Sequence, residues 1–243
     1  MHLIVEITNS CPARCDFCVV KRERKKKNTI KLTTFSEIIE IFEPNKVTIS
    51  GGETSIVGDL EKYVNIAKAY ASVTVVTNAF NPIKILECDA DFIQVSLDAY
   101  GEKHDKIRGL NGLWDKAVYI LKNTDNSFIR FTLMNSNLDD LRKIREEFPD
   151  KKILVMPEYF SEISPAIIRK VKEDRLGILP TNCPVGKQVV VTTELDVLPC
   201  PFYRKRLGNL MVNPTEVFEE LKVLKPYPCG KKYMLDVNQI LKK

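Results

Sequence analysis

Several features that mark other protein classes are missing from this sequence of 243 residues. No apolar run approaches the length of about 18 residues that a membrane-spanning helix needs, so no membrane partner is expected. A strand-like segment begins almost at Met1, where a secretory leader would carry its apolar core, and this predicts a cytoplasmic protein. There is no internal repeat, and the only stretch of low complexity is a basic run at residues 21–27.

The fingerprint GxGxxG is also absent after the first predicted strand, which disfavours a doubly wound dinucleotide-binding fold. Short apolar segments alternate with helical patterns along most of the chain, and this predicts a parallel sheet with helices outside it. A barrel places its chemistry at the carboxyl ends of the strands, where the cysteines, glycines and acidic residues of interest fall. We therefore predict an α/β fold, a partial (β/α)6 TIM-like barrel. The strands are predicted at residues 3–8, 46–50, 72–78, 92–97, 127–133 and 152–156.

Cysteine is plentiful, with seven residues, and in a cytoplasmic chain this indicates metal or redox chemistry in place of disulfides. Cys11, Cys15 and Cys18 have the spacing CxxxCxxC directly after the first strand. A cubane iron–sulfur cluster normally takes four cysteines, so three would leave one iron open to a ligand that is not protein. A zinc site with a distant fourth ligand is the alternative, although His2 is a poor candidate because it opens the first strand. Cys88 belongs to no motif and is predicted to be a core residue.

The cysteine loop resembles the signature of the radical SAM enzymes, with Phe17 as the aromatic residue before the last cysteine. The triplet Gly51-Gly52-Glu53, after the second strand, resembles the GGE motif of the same superfamily. Glycines at a strand end let a ligand approach the backbone closely. The resemblance implies that this triplet receives the amino group of S-adenosylmethionine (SAM).

A third stretch, Ser96-Leu97-Asp98 followed by HDKIRG, resembles another sequence common in the superfamily. The resemblance implies that Ser96 and Asp98 face the SAM ribose and the substrate. It also implies that Arg108 pairs with the SAM carboxylate, for which a guanidinium fork is suited. Asn78, at the end of the third strand, is implied as a further SAM contact, whereas His104 is expected to be structural.

These motifs cover about residues 1–160, and together they imply a reaction. A [4Fe-4S] cluster would give one electron to SAM and cleave it to methionine and a 5′-deoxyadenosyl radical, which takes a hydrogen atom from the substrate. The cofactors carry this chemistry, and the protein orients them. Asp98 and Glu158, at strand ends, are the expected catalytic residues that face the substrate.

The pattern changes beyond the core predicted at residues 1–175. Residues 176–243 predict a small extension with a hairpin and a short helix. Cys183, Cys200 and Cys229 are spread through it in a layout that resembles the SPASM/twitch domains. That resemblance implies an auxiliary [4Fe-4S] cluster on these cysteines. The match is partial, and three unrelated buried cysteines are the alternative.

One departure from the SPASM/twitch pattern is a missing glycine, because Leu195 stands five residues before Cys200 where glycine is usual.

The substrate is open among a peptide side chain, a small alcohol and a nucleotide. The basic run contains six basic residues in seven and is interpreted as a solvated loop, or as a docking site for an electron donor such as flavodoxin or ferredoxin, or for a phosphate-bearing substrate. A rival hypothesis is a non-enzymatic zinc or iron–sulfur protein that binds nucleic acid through this run. That hypothesis leaves the GGE and SLD motifs unexplained, and no aromatic residues are interleaved for base stacking.

Overall fold

The computed structural model describes residues 1–23, 26–180 and 183–224. Six of its strands are the predicted ones, each within about one residue of the expected bounds, because β-branched and apolar residues favour extended, buried backbone. Three further strands follow in the extension. The strands are β1 His2–Thr8, β2 Lys46–Gly51, β3 Ser72–Thr77, β4 Phe92–Ser96, β5 Ser127–Leu133, β6 Ile153–Pro157, β7 Gln188–Val191, β8 Asp196–Leu198 and β9 Gly208–Asn209.

The strands form one sheet in the order β6-β5-β4-β3-β2-β1-β7-β8-β9. Strands β1 to β6 pair in parallel with their neighbours, and helices connect them. Across the described ranges the sheet does not close on itself, so the fold is α/β with a partial barrel, as predicted. The same ranges contain no helix with the length and apolarity that crossing a membrane requires.

Nine α-helices and one short 3-10 helix, Thr54–Ile56, occur in the described part of the chain. Sequence analysis did not predict α1, which follows the cysteine loop, or α5, which carries the HDKIR stretch. The helices are α1 Val19–Glu23, α2 Leu32–Phe42, α3 Leu60–Lys68, α4 Pro82–Glu87, α5 Glu102–Arg108, α6 Leu113–Asn123, α7 Leu138–Glu147, α8 Pro165–Glu173 and α9 Pro214–Val223.

Side chains alternate between the two faces of the sheet, as strand geometry requires. Along β1, Leu3, Val5 and Ile7 belong to the main hydrophobic core between the sheet and the helices. The intervening residues, including Glu6, lie on the opposite face, which we call the inner face. Strand β5 alternates in the same way, so Arg130 lies on the inner face as well.

The predicted hairpin is present, but it is joined to the core sheet. Strand β7 pairs in parallel with β1, with Val189 opposite Leu3, and β8 pairs antiparallel with β7. Leu195, in the hairpin turn, has a φ of 65°. Glycine is the residue that adopts this left-handed conformation without steric cost, which gives a physical reason for the glycine expected at this position.

Candidate active site

The cysteine loop packs into a small apolar cluster at the carboxyl end of the strands. Cys15 is buried there with Ala13 and Leu113, and Cys11, Cys18 and other side chains pack against them. The structure therefore gathers the three predicted cysteines around one apolar patch. The remaining members of this cluster are Phe17, Phe80 and Leu110.

The sulfur atoms receive donors from the surrounding chain. The side-chain amide of Asn78 donates to Cys11 Sγ at 3.4 Å, and the backbone N–H of Lys21 donates to Cys18 Sγ at 3.4 Å. Burial raises the pKa of Cys11 to about 12 and also raises the pKa of Cys15. Deprotonating these thiols therefore requires a strong positive partner, which is what a metal centre supplies to a coordinated thiolate.

The two glycines of the GGE motif let the cysteine loop approach the second strand. A Cβ atom at Gly51 would lie 2.0 Å from the carbonyl oxygen of Thr8, and one at Gly52 would lie 2.1 Å from the carbonyl oxygen of Ser10. The N–H of Gly52 donates to Thr8 O at 2.5 Å. These glycines therefore make a close contact with the protein's own backbone, and the approach of a ligand to them stays a prediction.

Glu53 is almost completely buried, and its carboxylate joins the ends of two strands. Oε1 accepts hydrogen bonds from Thr77 Oγ1 at 2.5 Å and from the N–H of Ser55 at 3.0 Å, and Oε2 accepts from the N–H of Asn78 at 2.6 Å. Burial raises the pKa of this carboxyl, while these donors oppose the shift. Glu53 therefore fixes the backbone around Asn78, which in turn reaches Cys11.

Asp98 and Arg108 are placed against each other as an ion pair. The Arg108 guanidinium donates from Nε at 2.6 Å and from Nη2 at 2.5 Å to Asp98 Oδ2. The Asp98 side chain has no exposed surface, and its Oδ1 accepts the N–H of Thr132 at 2.8 Å. The residues expected to face substrate and SAM separately are thus paired with one another, because a buried guanidinium needs a counter-charge.

Arg108 also touches the cysteine loop directly. Its carbonyl oxygen accepts the N–H of Arg14 at 2.8 Å, and Cys15 Sγ lies 3.8 Å from the same oxygen. Its guanidinium carbon lies 5.5 Å from the ring centroid of Phe17. Helix α5, which sequence analysis missed, therefore brings the Asp98–Arg108 pair to the cysteine loop.

The remaining predicted residues lie farther along the strand ends. Ser96 is buried on β4 opposite Arg130 on β5 in the sheet register. Glu158 is buried just after β6, and its Oε1 accepts the N–H of Phe160 at 2.8 Å. Both residues are at the carboxyl end of the sheet, as predicted.

Two of the three cysteines in the extension are described, and they lie near each other. Cys200 is buried, and its Sγ accepts the N–H of Phe202 at 3.4 Å. Burial raises the pKa of Cys200, and the neighbouring Cys183 thiol adds to the shift. Cys229 lies outside the described residues, as does part of the basic run at residues 21–27.

The loop after Cys200 lies over the inner face. Arg204 forms a two-pronged ion pair with Glu6, at 2.7 and 3.0 Å, with both side chains mostly buried. The Phe202 ring stacks on Tyr159 at 5.7 Å between centroids, and the Arg130 guanidinium carbon lies 5.4 Å from the Phe202 centroid. Sequence reasoning missed these contacts, although a charged residue within each of two apolar strands was a signal for them.

Within the described ranges, no three His, Cys, Asp or Glu side chains are arranged as ligands of a single metal ion. A cubane cluster binds each thiolate through a different iron, so its ligands surround a larger object than one ion. The donor chemistry at Cys11, Cys15 and Cys18 therefore fits an iron–sulfur cluster.

Comparison with known proteins gives consistent results. A model of the radical SAM superfamily matches residues 5–148. The chain is 20% identical over 156 residues to the sporulation killing factor maturation protein SkfB of Bacillus subtilis, a match that covers 59% of this chain and 38% of SkfB. It is 24% identical over 155 residues to the GTP 3′,8-cyclase of Clostridium perfringens, covering 58% of this chain and 48% of the cyclase. The matches thus span less than half the length of either relative.

Among solved structures, native anSMEcpe with bound AdoMet and the Kp18Cys peptide has the same fold. The TM-score is 0.70 at 16% sequence identity, and the match covers 90% of this chain and 80% of that one. The superfamily model matches well over half of the chain, and the fold and the cysteine loop agree with it. The chain belongs to the radical SAM superfamily.

Proposed function

We propose that this protein is a radical SAM enzyme that holds a [4Fe-4S] cluster on Cys11, Cys15 and Cys18. The observation that carries the proposal is the cysteine loop itself, in which Cys15 is buried in a small apolar cluster and Cys11 and Cys18 pack against the same cluster. Such a cluster, when bound, supplies the electron that cleaves SAM to methionine and a 5′-deoxyadenosyl radical, which removes a hydrogen atom from the substrate. The protein's own part is to orient the reactants and to exclude water.

The proposed SAM-binding residues surround the loop. Asn78 lies against Cys11, and the backbone of Gly51 and Gly52 lies against the loop. The carboxylate of Glu53 holds the neighbouring backbone in place. Ser96, on the inner face, is proposed to lie nearer the ribose and the substrate. Phe17 and Arg108 complete the predicted set of cofactor-binding residues.

The extension is proposed to be a SPASM/twitch-like domain with an auxiliary [4Fe-4S] cluster on Cys183, Cys200 and Cys229. Support comes from the proximity of Cys183 to Cys200 and from the backbone N–H donated to Cys200 Sγ. Hydrogen bonds to sulfur are among the features by which proteins tune such clusters.

The substrate is proposed to bind on the inner face, beneath the loop after Cys200. A peptide side chain, a small alcohol and a nucleotide remain the candidate classes, and the names of SkfB and GTP 3′,8-cyclase are consistent with the first and the third. Glu158 is proposed to face the substrate, and Asp98 is proposed to act through Arg108. A cytoplasmic flavodoxin or ferredoxin is the proposed electron donor.

The test is SAM cleavage by anaerobically reconstituted protein reduced with dithionite. Wild-type protein should release 5′-deoxyadenosine, and the variant Cys11/Cys15/Cys18→Ala should release none. Cys88→Ala is the matched control, because Cys88 is buried in the main core and donates to the Ile85 carbonyl oxygen at 3.1 Å. Undiminished cleavage by the triple variant would refute the assignment, and zinc binding with intact SAM would favour the nucleic-acid-binding alternative.

A second measurement tests the auxiliary cluster. Replacing Cys183, Cys200 and Cys229 with alanine should remove about half of the iron, as expected when one of two equal clusters loses its ligands. SAM cleavage should survive. Iron near four atoms per wild-type chain after full reconstitution, the content of one cubane cluster, would show that only one cluster exists.

A further inference from the structure

The buried ion pair between Asp98 and Arg108 is oriented relative to the cysteine loop. Arg108 contacts the loop through its carbonyl oxygen and faces the Phe17 ring through its guanidinium. Asp98 is held on the side of strand β5, where Thr132 donates to its Oδ1. The positive member of the pair is therefore the one directed at the cysteine loop.

The charges around Cys15 agree with this orientation. The Arg108 carbonyl oxygen lies 3.8 Å from Cys15 Sγ, and the Arg108 guanidinium contacts both Asp98 and the Phe17 ring of the loop. The Arg108 guanidinium is also influenced by Cys11, though less than by Cys15. The charged groups that face this loop are thus Arg108, with Asp98 bound to it, and Glu53 on the Cys11 side.

We infer that Arg108 and Asp98 set the reduction potential of the cluster that the cysteine loop would hold, Arg108 raising the potential and Asp98 opposing it. This inference rests on the proposed function, because it requires a cluster on Cys11, Cys15 and Cys18. Both residues then tune the reduction potential of the cluster, a role that neither the GGE motif nor the cysteine spacing indicates.

The physical reason is the charge that reduction adds. One electron from the reductant makes the centre more negative by one unit, so a nearby fixed positive charge stabilises the reduced form and a negative one destabilises it. In a dry site with low effective dielectric, such charges act more strongly than they do in water. Net charge, hydrogen bonds to sulfur and solvent exposure are known determinants of iron–sulfur potentials.

The experiment is a redox titration of the reconstituted protein without SAM, followed through the EPR signal that wild-type protein shows and the Cys11/Cys15/Cys18→Ala variant lacks, which identifies the cluster of the cysteine loop. Arg108→Gln should lower the ratio of reduced to oxidised cluster at a fixed ambient potential about tenfold, which is a downward shift of about 59 mV for a one-electron couple. Asp98→Asn keeps a side-chain oxygen for Thr132 but removes the charge, and it should shift the potential upward. Opposite signs are the signature of an electrostatic role, because damage to packing gives no reason for opposite shifts.

Two controls make the result decisive. Arg108→Lys keeps the charge, and its ratio of reduced to oxidised cluster should stay within about threefold of the wild type, which is less than half of a 59 mV shift. Arg142→Gln breaks a solvent-exposed pair with Asp139 and Asp174 and should leave the potential unchanged.

Shifts of the same sign in the Arg108→Gln and Asp98→Asn variants, or no shift in either, would overturn the inference. If Arg108→Gln fails to hold iron, the sign of the Asp98→Asn shift decides alone: an upward shift supports the inference, and a downward or zero shift overturns it. Failure of the proposed function is distinguishable, because wild-type protein would then show no EPR signal that the Cys11/Cys15/Cys18→Ala variant lacks.

Discussion

The contact between Gly52 and the cysteine loop leads to a sharp prediction about stability. In Gly52→Ala the new Cβ would lie 2.1 Å from Ser10 O and 2.6 Å from Ser10 C. These are backbone atoms, so no flexible side chain can move aside, and the loop or strand β2 must shift by roughly 1 Å to restore van der Waals contact. Overpacking of this kind costs about 1–3 kcal/mol, and we expect the upper end here.

The comparison variant is Gly58→Ala, because a Cβ atom at Gly58 meets nothing within 4 Å. Replacing an unconstrained glycine with alanine restricts the unfolded chain and stabilises by about 0.4–1 kcal/mol. Urea unfolding of the iron-free proteins should therefore separate Gly52→Ala from Gly58→Ala by about 3.5–4 kcal/mol, a gap that sums the two effects.

The same shift should displace Cys11, which directly follows Ser10. Iron content after reconstitution should then be lower in Gly52→Ala than in Gly58→Ala. If the two variants unfold within about 0.5 kcal/mol of each other, the close packing between the GGE backbone and the loop does not constrain the fold, and our reasoning on these glycines is refuted.

Three further predictions concern single side chains. Burial lowers the pKa of His104 from 6.5 to about 4, so wild-type stability should fall by about 3 kcal/mol as the pH drops from 6.5 to 4, and His104→Gln should remove most of that dependence in urea titrations. Glu6→Gln should cost about 3 kcal/mol because Arg204 loses its buried carboxylate partner, whereas the double change Glu6→Leu with Arg204→Met should cost clearly less in the same assay. Arg175→Gly should stabilise by about 1 kcal/mol, seen as a higher urea midpoint, because Arg175 is exposed and has a φ of 52°, a left-handed conformation that glycine adopts without steric cost; an unchanged or lower midpoint would contradict this.

The six core strands could be predicted because their signal is local. A run such as residues 3–8 carries its own β-branched, apolar pattern, and the alternation with helices then fixes the class of fold. The parallel pairing of β7 with β1 could not be predicted, because the two strands are far apart in sequence. No sequence pattern in either strand indicates which strand it pairs with. The hairpin was therefore expected as a separate extension.

In the candidate site, too, features with a local sequence signal could be predicted, whereas contacts between distant segments could not. The cysteine spacing predicted which residues gather, and the structure places them in one cluster. The glycines were recognised, but their close contact with the cysteine loop was not predicted, since a sequence does not show which backbone approaches them. The pairing of Asp98 with Arg108 was missed because each residue was assigned a separate ligand, and a buried ion pair depends on how α5 packs against the strand ends.

Strands β1 and β5 connect the extension to the cysteine loop. Strand β1 carries Glu6, which anchors the loop after Cys200 through Arg204, and the same strand leads directly into the cysteine loop. On β5, Arg130 stacks on Phe202, and two residues later the Thr132 backbone donates to Asp98. Changing the Glu6–Arg204 contact that anchors the extension should therefore also alter the geometry around the cysteine loop. The Glu6 variants allow this effect to be measured through iron content and reduction potential.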